Sequence, residues 1–300
     1  MLYKAKTKSE EHLILEYLDR RMSLKESDKQ RLYRLNKGYE GEVQFEKLTS
    51  GLQTPCIILN DLTFKVNNST IQIDSSLLFG RILKFYEVKN LEGDYYLNDD
   101  KFFMRDGTEK NNPLLQMKRS ESLYRQLLKE LGFDLSIEAS TVFVNPAFTM
   151  YNAPLNQPII YPTQLTRLTN QLNKIPSNLT QSHWSLADKL ISLNQEKSEY
   201  TTLPDYRFDN QKKGVTCYKC HSFDIGVIGY KVVCMQCGHH EDVEAAVMRS
   251  IDELKMLFPN IKLSTSIVYD WCSIVSQSKI RRVLKKNFNI VGVHQWSFYE

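Results

Sequence analysis

The spacing of apolar side chains along this chain changes several times, and each change marks an element. Residues 9–22 and 27–51 repeat apolar side chains at helical spacing. In the second stretch Leu32, Leu35, Tyr39, Val43 and Leu48 recur, with Ser27 or Asp28 placed to cap it. Gly38 and Gly41 lie inside that helix, where a glycine costs up to ~1 kcal/mol. A close approach by another backbone or a ligand is therefore expected there. Residues 57–62 read as a strand. The stretch 70–90, TIQIDSSLLFGRILKFYEVKN, reads as two more strands joined by a turn at Phe79-Gly80-Arg81. Residues 91–112 are polar and aromatic, with turns at Asp99-Asp100 and Asp106-Gly107, and read as a mobile loop, long enough to invite a functional explanation.

Pro113 opens a helix that Gly132 stops, with Leu114, Leu123, Leu127, Leu128 and Leu131 on its buried side and Gln116 in its first turn. Residues 141–144 form a further strand with 147–151 as its expected hairpin partner, 158–161 a short strand and 163–172 a helix. Helix, three strands, helix, strand is the order of a mixed α/β domain with a central sheet flanked by helices. After it come one helix at 184–194 and a polar stretch, with a domain boundary near 200–213. Helices are expected at 241–257, at 264–271 capped by Ser264, and at 276–286, and the last eleven residues read as a β-hairpin wing. The expected division is an N-terminal helical region (1–35), an α/β domain (36–172), a linker with one helix (173–213), a cysteine module (214–240) and a basic helical module (241–300).

With 42% hydrophobic and 25% charged residues among 300, the chain can bury the core of a globular protein. No apolar run approaches the ~18 residues of a membrane span, and the first residues lack the apolar stretch of a secretory signal. A cytoplasmic location is expected. The net charge of +4 is unevenly distributed. After Glu244 there are eight Lys or Arg against four Asp or Glu, which leaves 31 of each sign before it. The basic excess therefore belongs to the last module and points to a polyanion partner. Lys279, Arg281, Arg282, Lys285 and Lys286 lie away from the apolar positions Ile280, Val283 and Leu284, in what reads as the recognition helix of a helix-turn-helix or winged-helix module. These five are the candidate nucleic-acid contacts.

The cysteines give a second candidate site. Cys217 and Cys220 form one C-x-x-C pair and Cys234 and Cys237 another, with thirteen residues between the pairs. Two such knuckles at this separation are the pattern of a zinc ribbon, and four thiolates would close the shell of a structural ion. His239 and His240 are expected not to be ligands, and Cys56 and Cys272 are expected to be buried thiols.

The stretch 70–90 carries the chemistry. Side chains alternate along a strand, so Glu87 and Lys89 share a face while Val88 points into the core. Pairing of the two strands would bring Asp74 beside Glu87. Two carboxylates held together repel unless a cation lies between them, and hard oxygen ligands suit magnesium or manganese. Asp followed thirteen residues later by E-x-K is the core of the PD-(D/E)xK nuclease pattern.

More of the chain follows the same resemblance. Gly38-Tyr-Glu-Gly-Glu42, Ile73-Asp74, Glu87-Val88-Lys89-Asn90 and Asn112-Pro-Leu-Leu-Gln116 occur in the order and rough spacing of the NERD (nuclease-related) domain, a branch of the PD-(D/E)xK superfamily. The resemblance covers roughly residues 36–160. It implies a restriction-endonuclease-like mixed sheet flanked by helices, and a site built from Glu42, Asp74, Glu87, Lys89 and Gln116. Asp74 and Glu87, with the Val88 carbonyl, would hold Mg²⁺ or Mn²⁺, and Lys89 would orient water and offset charge at the scissile phosphate. Glu42 would complete a metal shell, and Gln116 would bind the water or a phosphate oxygen. The expected function is metal-dependent hydrolysis of DNA. A DNA-binding or regulatory protein whose nuclease-like domain does not cut, and a ribonuclease, are the alternatives.

Overall fold

Two adjacent strands, β3 (Ser69–Leu78) and β4 (Ile82–Lys89), run through the middle of a six-stranded sheet. The computed structural model describes residues 1–195, 203–292 and 297–300. These fall into two compact units, residues 1–9 with 33–195, and residues 10–32 with 203–292 and 297–300. The first 35 residues are thus divided between the units, and the expected boundary near 200–213 lies partly outside the described residues.

In the first unit the sheet order is β1 (Leu2–Lys4), β2 (Ile57–Val66), β3, β4, β8 (Ser136–Phe143), β10 (Ile159–Ile160). The strands β2, β3 and β4 are antiparallel neighbours, whereas β1–β2, β4–β8 and β8–β10 are parallel. The sheet is therefore mixed, as expected, and its centre is covered on both faces, which is why β3 and β4 read as nearly continuous buried runs.

One face packs Ile57, Phe64, Ile73, Leu83 and Phe85 against Met117, Tyr124 and Leu128 of α3 (Pro113–Glu130), and against Leu186, Ala187 and Leu190 of α5 (Gln181–Leu193). The opposite face packs Ile58, Leu77, Tyr86, Val88 and Val142 against Phe45 of α2 (Glu26–Ser50), and against Leu168 and Leu172 of α4 (Leu165–Leu172). Two expectations change here. The helix assigned to a linker, α5, is part of the core, because Leu186, Ala187 and Leu190 share one stripe at helical spacing. The strand β1 was not anticipated, since three residues are too few to show a period.

Residues 91–112 are not a loop. They form β5 (Gly93–Asn98), β6 (Lys101–Met104) and β7 (Glu109–Lys110), and with β9 (Phe148–Tyr151) they make a second sheet of order β7-β6-β5-β9. Tyr95, Leu97, Phe102 and Phe148 bury one side of it against Leu114 and Phe143. Strand β9 pairs in parallel with β5 and is not the hairpin partner of β8. The Asp99-Asp100 and Asp106-Gly107 turn signals were hairpin corners, with Asp99 and Gly107 both at positive φ.

The second unit holds α1 (Glu10–Arg21), a cysteine-rich ribbon of β11 (Ile225–Ile228), β12 (Lys231–Cys234) and β13 (His240–Asp242), and three helices. These are α6 (Val243–Leu257), α7 (Thr265–Cys272) and α8 (Gln277–Asn287). Ser264 caps α7 as expected, accepting from the Ile267 N–H at 3.2 Å. Leu254, Trp271 and Leu284 are completely buried. At the centre Arg21 donates to both oxygens of Glu253, at 2.7 and 3.0 Å, and lies 4.0 Å from the Trp271 ring centre. After α8, β14 (Ile290–Val291) pairs antiparallel with β15 (Phe298–Tyr299), the base of the expected wing. Its tip, residues 293–296, lies outside the described residues.

Candidate active site

The site begins with register. Ser75 pairs with Tyr86 and Ser76 with Phe85, so the next position on β3, Asp74, faces Glu87 on β4. The Val88 backbone N–H donates to Asp74 Oδ2 at 2.8 Å. Lys89 points the same way as Glu87, and its Nζ lies 2.6 Å from Glu87 Oε1. From the first turn of α3, Gln116 reaches the same ammonium, accepting from Lys89 Nζ at 3.3 Å. That turn is fixed by Asn112, whose side chain accepts from the Leu114 N–H, and by Pro113 at the first helical position. Glu42 comes from α2. All five expected residues therefore lie around the middle of β3 and the end of β4, with Asp74 near enough to act on the Glu42 and Glu87 carboxyls.

Asn90 holds α2 to this corner. Its side-chain N–H donates to the Lys37 carbonyl at 2.8 Å, and its oxygen accepts from Asn145. A Cβ placed on Gly41 would lie 2.6 Å from Asn90 Cβ. The close approach expected at both helix glycines is found at Gly41 alone, and it is made by a side chain where a backbone or ligand was expected, while Gly38 has nothing within 4 Å of that position.

Two residues were missed. Lys6 Nζ lies 2.7 Å from Glu42 Oε2 and 3.0 Å from Asp61 Oδ1. Asp61 occupies β2 opposite Asp74, between the pairs Asn60–Ser75 and Leu62–Ile73, and has φ of +55°. Across it the face of β2 turned toward α3 changes from odd positions (Ile57, Leu59) to even ones (Leu62, Phe64, Val66). Only that break in alternation, visible in IILNDLTFKV, was a sequence signal for Asp61. Lys6, in a short polar N-terminal segment, left none.

Burial sets the electrostatics. It is the largest influence on Glu42, with the Asp74 charge next, and together they outweigh Lys6 and push the Glu42 carboxyl up to about 8. Burial and Asp74 likewise raise Glu87 to about 7 against the pull of Lys89. Asp74 is raised by burial despite Lys89 and the Val88 N–H. Burial presses the Lys89 ammonium down, but the carboxylates of Glu87, Asp74 and Glu42 prevail and its pKa rises. Glu42 Oε2 and Glu87 Oε1 are buried, and neither receives a hydrogen bond of good geometry among the described residues, although each has an ammonium within ion-pair distance. Such oxygens are costly to leave unsatisfied. Hard and buried, without well-formed hydrogen bonds, these oxygens have the donor chemistry that magnesium or manganese takes.

Residues 37–144 match the NERD family, the nuclease-related domain. No curated protein and no solved structure matches the chain. The match spans Glu42, Asp74, Glu87, Lys89 and Gln116 and excludes Lys6. The match of these residues indicates a nuclease-related function and an interaction with nucleic acid. Among the described residues no helix is long and apolar enough to cross a membrane.

Outside the matched residues, the sulfurs of Cys217, Cys220, Cys234 and Cys237 lie within 4.8 Å of one another, so the cluster could hold zinc. The β11–β12 hairpin brings the two knuckles together, and the Lys219 and Cys220 N–H groups point at Cys217 Sγ. His240 pairs in β13 with Val233, and the His239 ring lies beside Tyr218. Cys56 and Cys272 are buried.

The five basic residues of α8 do not act alike. Lys279 donates to the Gly229 carbonyl of the ribbon and Lys286 lies 2.8 Å from Glu244 of α6. Arg281, Arg282 and Lys285 are exposed.

Proposed function

We propose that this protein is a nuclease that hydrolyses phosphodiester bonds of DNA with a divalent metal. The observation that carries the reading is the meeting of two buried carboxyls, Asp74 and Glu87, and the half-buried Glu42 with Lys89 and Gln116, where one buried oxygen each of Glu42 and Glu87 has only an ammonium beside it and no hydrogen bond of good geometry. Asp74, Glu87 and the Val88 carbonyl would hold Mg²⁺ or Mn²⁺, with Glu42 completing the shell. When bound, the ion supplies a water of lowered pKa and charge stabilisation at the phosphate. Lys89, held between Glu87 and Gln116, orients the water and offsets negative charge that develops on phosphate oxygens. Gln116 has a free amide end that can donate to the phosphate. The Val88 N–H keeps Asp74 in one orientation.

DNA is favoured over RNA by the C-terminal module. An exposed basic helix after a short turn fits the wide major groove of B-form DNA, and the narrow groove of A-form RNA does not admit a helix. In this reading Lys279, Arg281, Arg282, Lys285 and Lys286 are the nucleic-acid contacts, with Arg281, Arg282 and Lys285 the most available. The four cysteines hold a structural Zn²⁺, and six reduced thiols suit the cytoplasm.

The test is digestion of plasmid, linear duplex, single-stranded DNA and RNA with Mg²⁺ or Mn²⁺, by wild type and Asp74→Ala. Cleavage of DNA by wild type and its loss in the variant is the expected result. Equal cleavage by both proteins removes this site from the reaction, and cleavage of RNA alone makes the protein a ribonuclease.

A further inference from the structure

We propose that Lys6 is a positioning residue of the candidate site, a built-in ammonium that takes the place of a second metal ion and keeps the site to one. This rests on the nuclease reading of the Asp74 and Glu87 cluster.

The N-terminal segment is attached to the site along its whole length. Leu2 pairs with Ile58 and Lys4 with Leu59, which adds β1 to the sheet beside β2. The Lys4 ammonium donates to the carbonyls of Asn60 at 2.9 Å and Asp61 at 2.7 Å. These are the backbone positions where β2 breaks its alternation and Asp61 takes a left-handed conformation, a strained choice that persists only where its surroundings enforce it. The Lys6 N–H then donates to Glu46 Oε2 at 2.6 Å, and the same oxygen accepts from the Asn60 side chain. Thus the backbone on both sides of the Lys6–Asp61 contact is held, and the Lys6 side chain, 9% exposed, has little freedom to leave.

Its position is that of a cation between two carboxylates. The contacts of 2.7 and 3.0 Å to Glu42 and Asp61 are only somewhat longer than the ~2.0–2.6 Å of magnesium– or calcium–oxygen bonds. Charge accounting agrees. Glu42, Asp61, Asp74 and Glu87, when ionised, carry four negative charges, and Lys6 and Lys89 two positive ones. One divalent ion balances the remainder. Without Lys6 the excess grows to three, and Glu42 and Asp61 face each other with no cation between them. Two carboxylates in that arrangement, open to water on one side, form a second site for a hard divalent ion.

The experiment is a Mn²⁺ titration of the zinc-loaded full chain, with free Mn²⁺ read by electron paramagnetic resonance. Wild type is expected to bind one ion and Lys6→Met one more than wild type. The double variant Lys6→Met with Glu42→Gln should return to one. Lys6→Gln keeps hydrogen-bonding ends without the charge and repeats the test should Lys6→Met fail to fold, as judged by thermal melting. Two ions on wild type, or an unchanged count and affinity in the Lys6 variants, overturns the proposal. Asp74→Ala in the same titration separates the two readings. If it binds and cleaves like wild type, the nuclease reading falls. If it loses both while the Lys6 variants behave as wild type, only the role of Lys6 falls.

Discussion

Glu87 is 1% exposed and Glu42 lies in the same corner, yet both are carboxyls that ionise near 4.5 in an unfolded chain and near 7 and 8 in this fold. The folded state therefore holds their protons to higher pH than the unfolded state does. Their contribution favours folding most below about 4.5 and is lost as pH rises through about 7 and 8. The metal-free protein is expected to lose melting temperature over that window, and Mn²⁺ to restore it increasingly toward high pH. Melting curves from acid to alkaline pH, with and without Mn²⁺, check this. Glu87→Gln should flatten the metal-free curve and abolish most of the Mn²⁺ effect. A steeper loss in Glu87→Gln would contradict the assignment of that charge.

At the scale of the element, two helices aim the site, one by its start and one by a close contact in its middle. The Asn112 cap and Pro113 fix the first turn of α3, from which Gln116 reaches Lys89. Asn112→Ala should cost about 1 kcal/mol of stability. It should also lower DNA cleavage further than the stability loss explains, because Gln116 loses its fixed position. In α2 the close approach of Asn90 leaves no room for a side chain at residue 41. Gly41→Ala should cost about 1–3 kcal/mol in urea unfolding, whereas Gly38→Ala, with open space around it, should be neutral or stabilising. The second sheet was hidden from sequence reading for a related reason. Its strands are two to six residues long and their alternation is broken by turns. Its partner in the core, Phe143, lies on another strand, so the buried face of 93–104 shows only once the two are brought together.

At the scale of the molecule, the ribbon and the basic helix carry separate predictions. A patch as small as the ribbon buries too little to fold without help, and zinc binding of about 10–16 kcal/mol can supply it. Metal analysis should find one zinc per chain, lost in Cys220→Ser together with the ribbon's protected amides. Retention of zinc by that variant would exclude Cys220 as a ligand. Replacing Arg281, Arg282 and Lys285 together by alanine should weaken DNA binding at every sequence tested. It should also reduce the slope of log affinity against log salt by about 0.9 for each phosphate contact removed. An unchanged slope would show that α8 presents those charges to solvent alone.

Local sequence determined the parts of this protein whose physics is local. Apolar periods marked α2, α3 and the pair β3–β4, and the C-x-x-C spacing marked the cysteine cluster. Strand alternation put Glu87 and Lys89 on one face, and four short motifs in order pointed to the NERD domain. Tertiary structure decided what depends on distant partners. It turned residues 91–112 into a sheet by supplying β9 and Phe143. It drew α5 into the core through a stripe that has meaning only against β2. It also brought Lys6 and Asp61, 55 residues apart in sequence, to a contact of 3.0 Å beside Glu42. No period or motif encodes that meeting, because a single ammonium and a single strained aspartate acquire their role only when β1 docks on the edge of the sheet.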